Sequence, residues 1–153
     1  MMQATVIGGG LAGCEAAWAL AEAGISVRLY EMKPQKFSPA HHSAGLAELV
    51  CSNSLKASRL ASAGGLLKAE MEAQGSLLVR IAKQCAVAAG GALAVDRVQF
   101  SALVTQAIET HPLIEVIHEE ITQLPEENAV IATGPLTSDA LVPAIEALCG
   151  DRL

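Results

Sequence analysis

The sequence predicts an α/β fold built on a doubly wound parallel sheet, and the pattern of its first 31 residues carries that prediction. An apolar, partly β-branched run at residues 4–7 predicts a strand, and the turn that follows at residues 8–13 has the pattern G-x-G-x-x-G. Residues 14–23 then have the pattern of a helix, and residues 26–30 that of a second strand ending at the acidic Glu31. This order of elements is typical of a Rossmann-like unit.

The glycine turn has the residue types that a bound pyrophosphate requires. Gly8 permits a tight turn out of the strand, and Gly10 lets the backbone approach a phosphate at the positive end of the helix. Gly13 allows the helix and the strand to pack closely, and Glu31 would accept hydrogen bonds from ribose hydroxyls while repelling a 2′-phosphate. The alternative is a glycine-rich β–α turn without a ligand. The predicted dinucleotide-binding residues are Gly8, Gly9, Gly10, Leu11, Ala12, Gly13 and Glu31.

Beyond the second strand the periodicity is lost before regular elements resume. Residues 32–45 contain two prolines and are predicted to form a loop. The next stretch, residues 46–60, is predicted to be a short helical or bent segment. Two helices are expected after it, at residues 66–73 and 76–87, separated by Gly75.

The pattern of residues 96–148 predicts two helices and three further strands. Asp96 is a suitable N-cap for a helix running to about residue 110, and residues 114–118 predict a strand with residues 121–124 as its hairpin partner. Residues 129–132 predict a short buried strand, which we expect to join the two N-terminal strands in the parallel sheet. Ser138 is expected to cap a final helix that ends near residue 148.

Composition favours a single domain in a reducing, aqueous environment. The chain is 52% hydrophobic but only 3% aromatic, so its core should consist of Ala, Leu, Val and Ile. The apolar stretch at residues 6–21 lacks a basic leader and is too short to span a membrane, so we expect no membrane association and a cytoplasmic location. Four widely spaced cysteines predict free thiols and no metal site, with Cys14, Cys85 and Cys149 in the core.

The charge distribution is uneven. A net charge of −6 does not suit a general nucleic-acid binder, and we expect no binding to DNA. Residues 28–68 nevertheless carry six basic and two acidic residues, whereas residues 100–153 carry nine acidic residues and one basic one. The basic segment is either a local phosphate-contacting patch beside a cofactor pocket or an ordinary solvated loop.

A second cofactor signal lies about 100 residues beyond the glycine turn. In flavoproteins with two dinucleotide domains, an apolar strand ending in Ala-Thr-Gly places its backbone beside the flavin. The strand predicted at residues 129–132 ends in this triplet. The two signals together favour FAD over NAD and add three predicted cofactor-binding residues, Ala132, Thr133 and Gly134.

Four blocks of the sequence carry a resemblance to one family. They are P-A-H-H at residues 39–42, A-E-L-V-C-S-N-S-L-K at 47–56, G-G-A-L-A-V-D-R at 90–97 and I-A-T-G-P-L-T-S at 131–138. Over essentially all of its length the chain resembles the bacterial FAD- and folate-dependent tRNA (uracil-5-)-methyltransferases. The alternative is the GidA-type family of FAD-dependent tRNA wobble-uridine modification proteins, which shares the glycine turn but not the His-His and Cys-Ser-Asn-Ser-Leu blocks.

The resemblance implies a glutathione-reductase-type flavoprotein with a Rossmann-like FAD-binding domain. Such an enzyme transfers a one-carbon unit from 5,10-methylenetetrahydrofolate to C5 of the T-loop uridine in tRNA, with NAD(P)H as the reductant. Cys51 matches the family's Cys-Ser-Asn-Ser block, and its thiolate would add to C6 of uracil to make C5 nucleophilic. The alternative for Cys51 is an unreactive thiol that shapes the flavin pocket. His41 and His42 would contact folate, flavin or RNA phosphate, or would be ordinary loop residues.

Two departures from the family pattern qualify the resemblance. The family's V-P-A-G-G block is V-A-A-G-G here, at residues 87–91, without the proline. The chain also has about a third of the family's length. Residues 1–153 are therefore expected to be the N-terminal part of an FAD/NAD(P)-binding domain that is incomplete at its C-terminus and inactive alone. The competing hypotheses are an FAD-binding fragment without catalysis and a truncated product without function.

Overall fold

The structure, a computed structural model, describes residues 2–126 and 128–150. No helix within these ranges is both long and apolar enough to cross a membrane. The elements, in chain order, are β1 (Gln3–Ile7), α1 (Leu11–Glu22), β2 (Ser26–Tyr30), β3 (Ser54–Ala57), α2 (Ala63–Ala73), α3 (Leu77–Gln84), β4 (Ala86–Val87), β5 (Ala92–Val95), α4 (Arg97–Glu109), β6 (Ile114–Ile117), β7 (Ala129–Ile131), a 3₁₀ turn (Gly134–Leu136) and α5 (Val142–Cys149).

The central sheet has four parallel strands in the order β6-β2-β1-β7. In its register, Val6 of β1 lies between Leu29 of β2 and Val130 of β7. The predicted fold class and the three predicted sheet strands are therefore confirmed. The prediction of residues 121–124 as a hairpin partner is wrong, because β6 pairs in parallel with β2 and Ile121 lies instead in a cavity wall.

Small residues on one face of α1 allow this helix to pack closely on β1 and β2. Cys14, Ala17 and Ala21 are buried on that face. Helices α3 and α4 complete the same layer, and Phe100 of α4 is fully buried. The helices predicted near residues 66–73 and 96–110 are confirmed. The helix predicted at residues 76–87 is present as α3 but ends at Gln84, because residues 86–87 form β4 and pair with β5. Asp96 caps α4 as predicted, since its carboxylate accepts the first free N–H groups of that helix.

A second, antiparallel sheet has the strand order β3-β5-β4 and is absent from the sequence prediction. The helical or bent segment predicted for residues 46–60 is wrong at β3, which is an extended strand. Ser54 of β3 lies opposite Ala94 of β5, so this pairing depends on a partner that is remote in sequence. Local residue pattern does not reveal such a partner.

Three predictions at the C-terminal end are wrong. Strand β7 is present, but Val130 and Ile131 are 38% and 40% exposed because β7 is the edge strand of the sheet. Ser138 does not cap the last helix with its side chain, since α5 begins at Val142 and has no side-chain cap. Cys149 is exposed rather than in the core, because α5 buries none of its residues.

Candidate functional site

A cavity of about 280 Å³ lies at the carboxyl ends of β1, β2 and β7. In parallel α/β sheets this edge is the usual place for a ligand. The cavity wall contains the glycine turn, the acidic residue that ends β2 and the triplet that follows β7. The predicted residues that line it are Gly8, Gly9, Gly10, Leu11, Ala12, Glu31, Ala132, Thr133 and Gly134. Of the ten predicted cofactor-binding residues, only Gly13 is not in this wall, and Cys51, the predicted nucleophile, is also outside it.

Three glycines of the turn have different geometric reasons for lacking a side chain. Gly8 has a φ of +102°, and a Cβ there would lie 2.6 Å from the carbonyl oxygen of Ala132. A Cβ at Gly13 would lie 1.7 Å from the carbonyl oxygen of Gly8. At Gly10 a Cβ would meet nothing within 4 Å. The first and last glycines therefore serve the packing of the turn, while Gly10 leaves an open approach to its backbone.

The Glu31 carboxylate is held in the cavity wall by two backbone groups. One carboxylate oxygen accepts the N–H of Gly9 at 2.8 Å, and the other accepts the N–H of Lys33 at 3.0 Å. Glu31 is only 7% exposed, so its orientation is fixed by these bonds. An ionised carboxylate has about four acceptor positions, so it retains capacity for two ligand hydroxyls.

Residues 41–51, which we call the arm, lie beside this cavity and divide it from a second one. The second cavity, of about 560 Å³, lies between the arm and α4. Glu48 and Val50 line both cavities, so the arm forms a shared wall. His41 lines the first cavity and His42 the second. The two adjacent histidines therefore belong to different surfaces.

Cys51 is an exposed free thiol that directly follows Val50 in the arm. The other cysteines differ from it in position. Cys14 is buried in α1, and burial together with the negative charge of Glu31 raises the pKa of its thiol to about 12. Burial also raises the pKa of Cys85. Cys149 is exposed as well, but it lies at the end of α5. Of the four cysteines, Cys51 alone is both exposed and adjacent to a residue of the cavity wall.

Most basic side chains of residues 28–68 form ion pairs or hydrogen bonds within the chain. Lys33 is buried beside Glu48, and Lys68 donates to two backbone carbonyl groups. Arg28 and Lys36 each form an ion pair with an acidic side chain. Lys56 and Arg59 have no ion pair within the part of the chain that the structure describes. The segment is therefore not one continuous phosphate-binding patch.

Side chains that the motif analysis did not single out organise the site. Lys33, Ser101 and Thr105 all bond to the backbone of the arm. The one available signal was the pair of hydroxyl residues four positions apart on the otherwise apolar face of α4. Across residues 2–126 and 128–150, no three His, Cys, Asp or Glu side chains converge as a metal site would require.

The chain is similar to one known family and to curated proteins of high sequence identity. The family model described as "Glucose inhibited division protein A" matches residues 3–144. A protein of Geobacter sulfurreducens named "Methylenetetrahydrofolate--tRNA-(uracil-5-)-methyltransferase TrmFO" is 60% identical over 150 residues, covering 97% of this chain and 35% of its own length. A protein of Lysinibacillus sphaericus with the same name is 59% identical over 145 residues, covering 95% and 33%. The chain thus spans about one third of these curated relatives, whose names agree with the resemblance found in the sequence.

Solved structures with the same fold are more distant in sequence. Aquifex aeolicus GidA, in its form II crystal, aligns with a TM-score of 0.66 and 19% identity over 82% of this chain and 21% of that protein. The p-nitrophenol 4-monooxygenase PnpA of Pseudomonas putida aligns with a TM-score of 0.56 and 13% identity over 83% and 35%. At these identities the likeness concerns the fold alone, and it confirms the predicted Rossmann-like architecture.

Proposed function

This chain belongs to the family described as glucose inhibited division protein A, and on that basis we propose that it is the N-terminal, FAD-binding part of a tRNA-modifying enzyme. The reaction we propose transfers a one-carbon unit from 5,10-methylenetetrahydrofolate to C5 of the T-loop uridine in tRNA, with NAD(P)H as reductant, in the cytoplasm. The observation that carries this choice is the 59–60% identity to relatives named for that reaction. GidA itself is 19% identical, so wobble-uridine modification is the less favoured alternative.

The cavity at the carboxyl edge of the sheet fits the adenosine and pyrophosphate of FAD. The N–H groups at the start of α1 can donate to phosphate oxygens, and the open space at Gly10 lets a phosphate approach them. Glu31 can accept hydrogen bonds from both ribose hydroxyls without leaving its two backbone donors. Residues 132–134 can place their backbone beside the rest of the cofactor. The chemistry that a bound flavin supplies is reductive one-carbon transfer.

Cys51 is the residue we propose as the nucleophile. Its thiolate would form a C–S bond with C6 of uracil, and the electron pair displaced from the C5–C6 double bond would make C5 nucleophilic. Loss of the C5 proton after one-carbon transfer would re-form the double bond and release the thiolate. An exposed position at the end of the arm is compatible with access by an RNA base.

The first test of this proposal is FAD binding by the Gly10→Val variant. A valine side chain would fill the space that a pyrophosphate must enter, so we expect saturable quenching of FAD fluorescence by the unchanged chain and none by the variant. Gly10 has a φ of −75°, which valine tolerates, so the unfolding temperature should change little. Ala23→Val, at the exposed opposite end of α1, is the matched control and should bind FAD normally. Retained affinity in Gly10→Val would show that the turn serves structure alone.

The second test is Cys51→Ala in the full-length protein. We expect bound FAD to be unchanged and methylation of tRNA lacking the T-loop modification to fall on the order of 10³-fold or more, as for loss of a covalent nucleophile. Cys149→Ala, which removes the other exposed thiol, should leave turnover intact. Normal turnover by Cys51→Ala would place the nucleophile elsewhere.

A further inference from the structure

We propose that Lys33, Ser101 and Thr105 are positioning residues that hold the arm against the cofactor cavity and so fix the place of Cys51. This inference rests on the function proposed above for Cys51. Three sets of contacts, from Lys33, from α4 and from the glycine turn, connect the arm with the rest of the chain, and a further set closes the arm on itself.

The first set of contacts is made by Lys33, whose side chain is only 4% exposed. Its ammonium group donates to the carbonyl oxygens of Ser43 at 3.1 Å and Gly45 at 2.6 Å. The backbone N–H of the same lysine donates to Glu31. Lys33 therefore joins the arm to Glu31, the carboxylate proposed to bind the ribose. A buried ammonium group is costly without hydrogen-bond acceptors, so these contacts hold the lysine in place.

The second set of contacts closes the arm on itself through Glu48. Its carboxylate accepts the N–H of His42 at 3.0 Å and that of Ser43 at 3.2 Å, and it lies 3.5 Å from the Lys33 ammonium. Burial acts to raise the pKa of Glu48, but these N–H donors and the lysine charge hold it below its usual value. Glu48 is therefore ionised at neutral pH and is the counter-ion that Lys33 requires.

The third set comes from α4 and holds one residue of the arm on both sides. Thr105 accepts the N–H of Leu46 at 2.8 Å, and the Ser101 hydroxyl donates to the Leu46 carbonyl at 2.6 Å. Leu46 is 1% exposed, so its backbone groups have no access to water. The two hydroxyls are thus the partners that permit this part of the arm to be buried.

The fourth contact joins the arm to the glycine turn itself. The N–H of Ala47 donates to the carbonyl of Gly9 at 2.8 Å. Ala47 has a φ of +50°, and the other described non-glycine residue with positive φ is Lys56, so these two bracket Cys51. Residues other than glycine rarely adopt this backbone conformation, and they keep it where surrounding contacts hold the backbone in place. The contacts above supply that constraint.

The first experiment measures the arm directly in this chain by amide hydrogen exchange. Thr105→Val keeps the volume of the side chain but removes the hydroxyl, so exchange across residues 42–48 should become at least tenfold faster. Exchange in β1 should not change, and the Kd for FAD should stay within threefold of the original. Thr105→Ser restores the hydroxyl and should restore slow exchange. Unchanged exchange in Thr105→Val would overturn the proposal.

The second experiment measures methyl transfer in the full-length protein. Thr105→Val and Lys33→Met should lower kcat at least tenfold at unchanged FAD content, and Thr105→Ser should recover most of it. Lys83→Met removes an exposed lysine paired with Glu72 on the surface and serves as the control for loss of a lysine. Unchanged kcat with a loosened arm, or loss of FAD in parallel with kcat, would overturn the positioning role.

The two experiments separate the failure of this inference from the failure of the proposed function. If Lys33→Met does not fold, the paired Thr105 variants still decide the matter, because Thr105→Val retains the side-chain volume and Thr105→Ser retains the hydroxyl. If Cys51→Ala keeps full turnover, the proposed nucleophile is wrong, and the anchoring of the arm is still decided by hydrogen exchange. If exchange is unaffected by Thr105→Val while Cys51→Ala loses turnover, the nucleophile stands and the positioning role is wrong.

Discussion

Cysteines of the same intrinsic chemistry occupy two kinds of environment in this chain. Cys14 and Cys85 are buried, whereas Cys51 and Cys149 are exposed. Only the thiolate form is a nucleophile. A pKa of about 12, caused first by burial and then by the Glu31 charge, leaves on the order of one Cys14 thiol in 10⁴ ionised at pH 8. Position in the fold thus separates inert thiols from accessible ones.

Alkylation of the native chain with iodoacetamide at pH 8 should therefore modify two cysteines. We expect adducts on Cys51 and Cys149, located by peptide mass spectrometry, and four adducts after unfolding in urea. Cys14 is fully buried, so its modification should require unfolding of the chain. Rapid native modification of Cys14 at pH 8 would contradict the packing of α1 on the sheet.

At the scale of secondary-structure elements, one carboxylate connects two helices. Glu15 lies in α1, yet its two oxygens accept the N–H groups of Leu77 at 3.2 Å and Leu78 at 3.0 Å. These groups are at the start of α3, where the first turn leaves N–H donors unpaired. Ser76 caps the same turn through Val79. A negative charge at a helix N-terminus is favourable, so α1 stabilises α3 as well as packing on it.

The Glu15→Ala variant should lower the free energy of unfolding by about 1–2 kcal/mol, because two N–H groups lose a charged acceptor. Urea denaturation followed by circular dichroism measures this. Glu70→Ala makes the same substitution at an exposed site in α2 and should change stability by less than about 0.5 kcal/mol. Equal losses in the two variants would attribute the effect to helix composition rather than to the contact with α3.

At the scale of the whole molecule, the cavity proposed for the cofactor lies at the carboxyl edge of the central sheet, at the ends of β1, β2 and β7. The cavity at the carboxyl edge is bordered by β7, an edge strand whose side chains are partly exposed. The chain also spans about one third of its curated relatives. In the function proposed above, a pyrophosphate and a ribose would need only the glycine turn and Glu31, whereas methyl transfer would need cofactor, folate and RNA to be held together.

A protein consisting of residues 1–153 should therefore bind FAD without methylating tRNA. We expect saturable fluorescence quenching in an FAD titration and no turnover in a folate-dependent assay on tRNA that lacks the T-loop methyl group. The full-length Geobacter sulfurreducens relative is the positive control for the assay. Turnover by the isolated chain would contradict this expectation, and a chain that ignores FAD would show that binding requires further residues.

Local residue patterns were sufficient to predict the glycine turn, the two flanking strands, the helix between them and the position of Glu31. Each depends on neighbouring residues, because the positive φ at Gly8 and the short apolar runs of the strands are local restrictions on the backbone. The Asp96 cap of α4 is local in the same way. The same reasoning located the triplet at residues 132–134, which the structure places in the same cavity wall. The family blocks were visible for the same reason, as runs of adjacent residues.

Contacts between elements that are remote in sequence could not be predicted, because they depend on how the elements pack against one another. Thr105 is remote in sequence from Leu46, and Glu15 is remote from Leu77. No periodic pattern in the sequence predicts the hydrogen bond within either pair. The sequence pattern likewise missed β3, because a strand that pairs with a distant partner is selected by that partner. It misplaced Cys149 in the core because helical spacing says which residues share a face, and only packing says whether that face is covered.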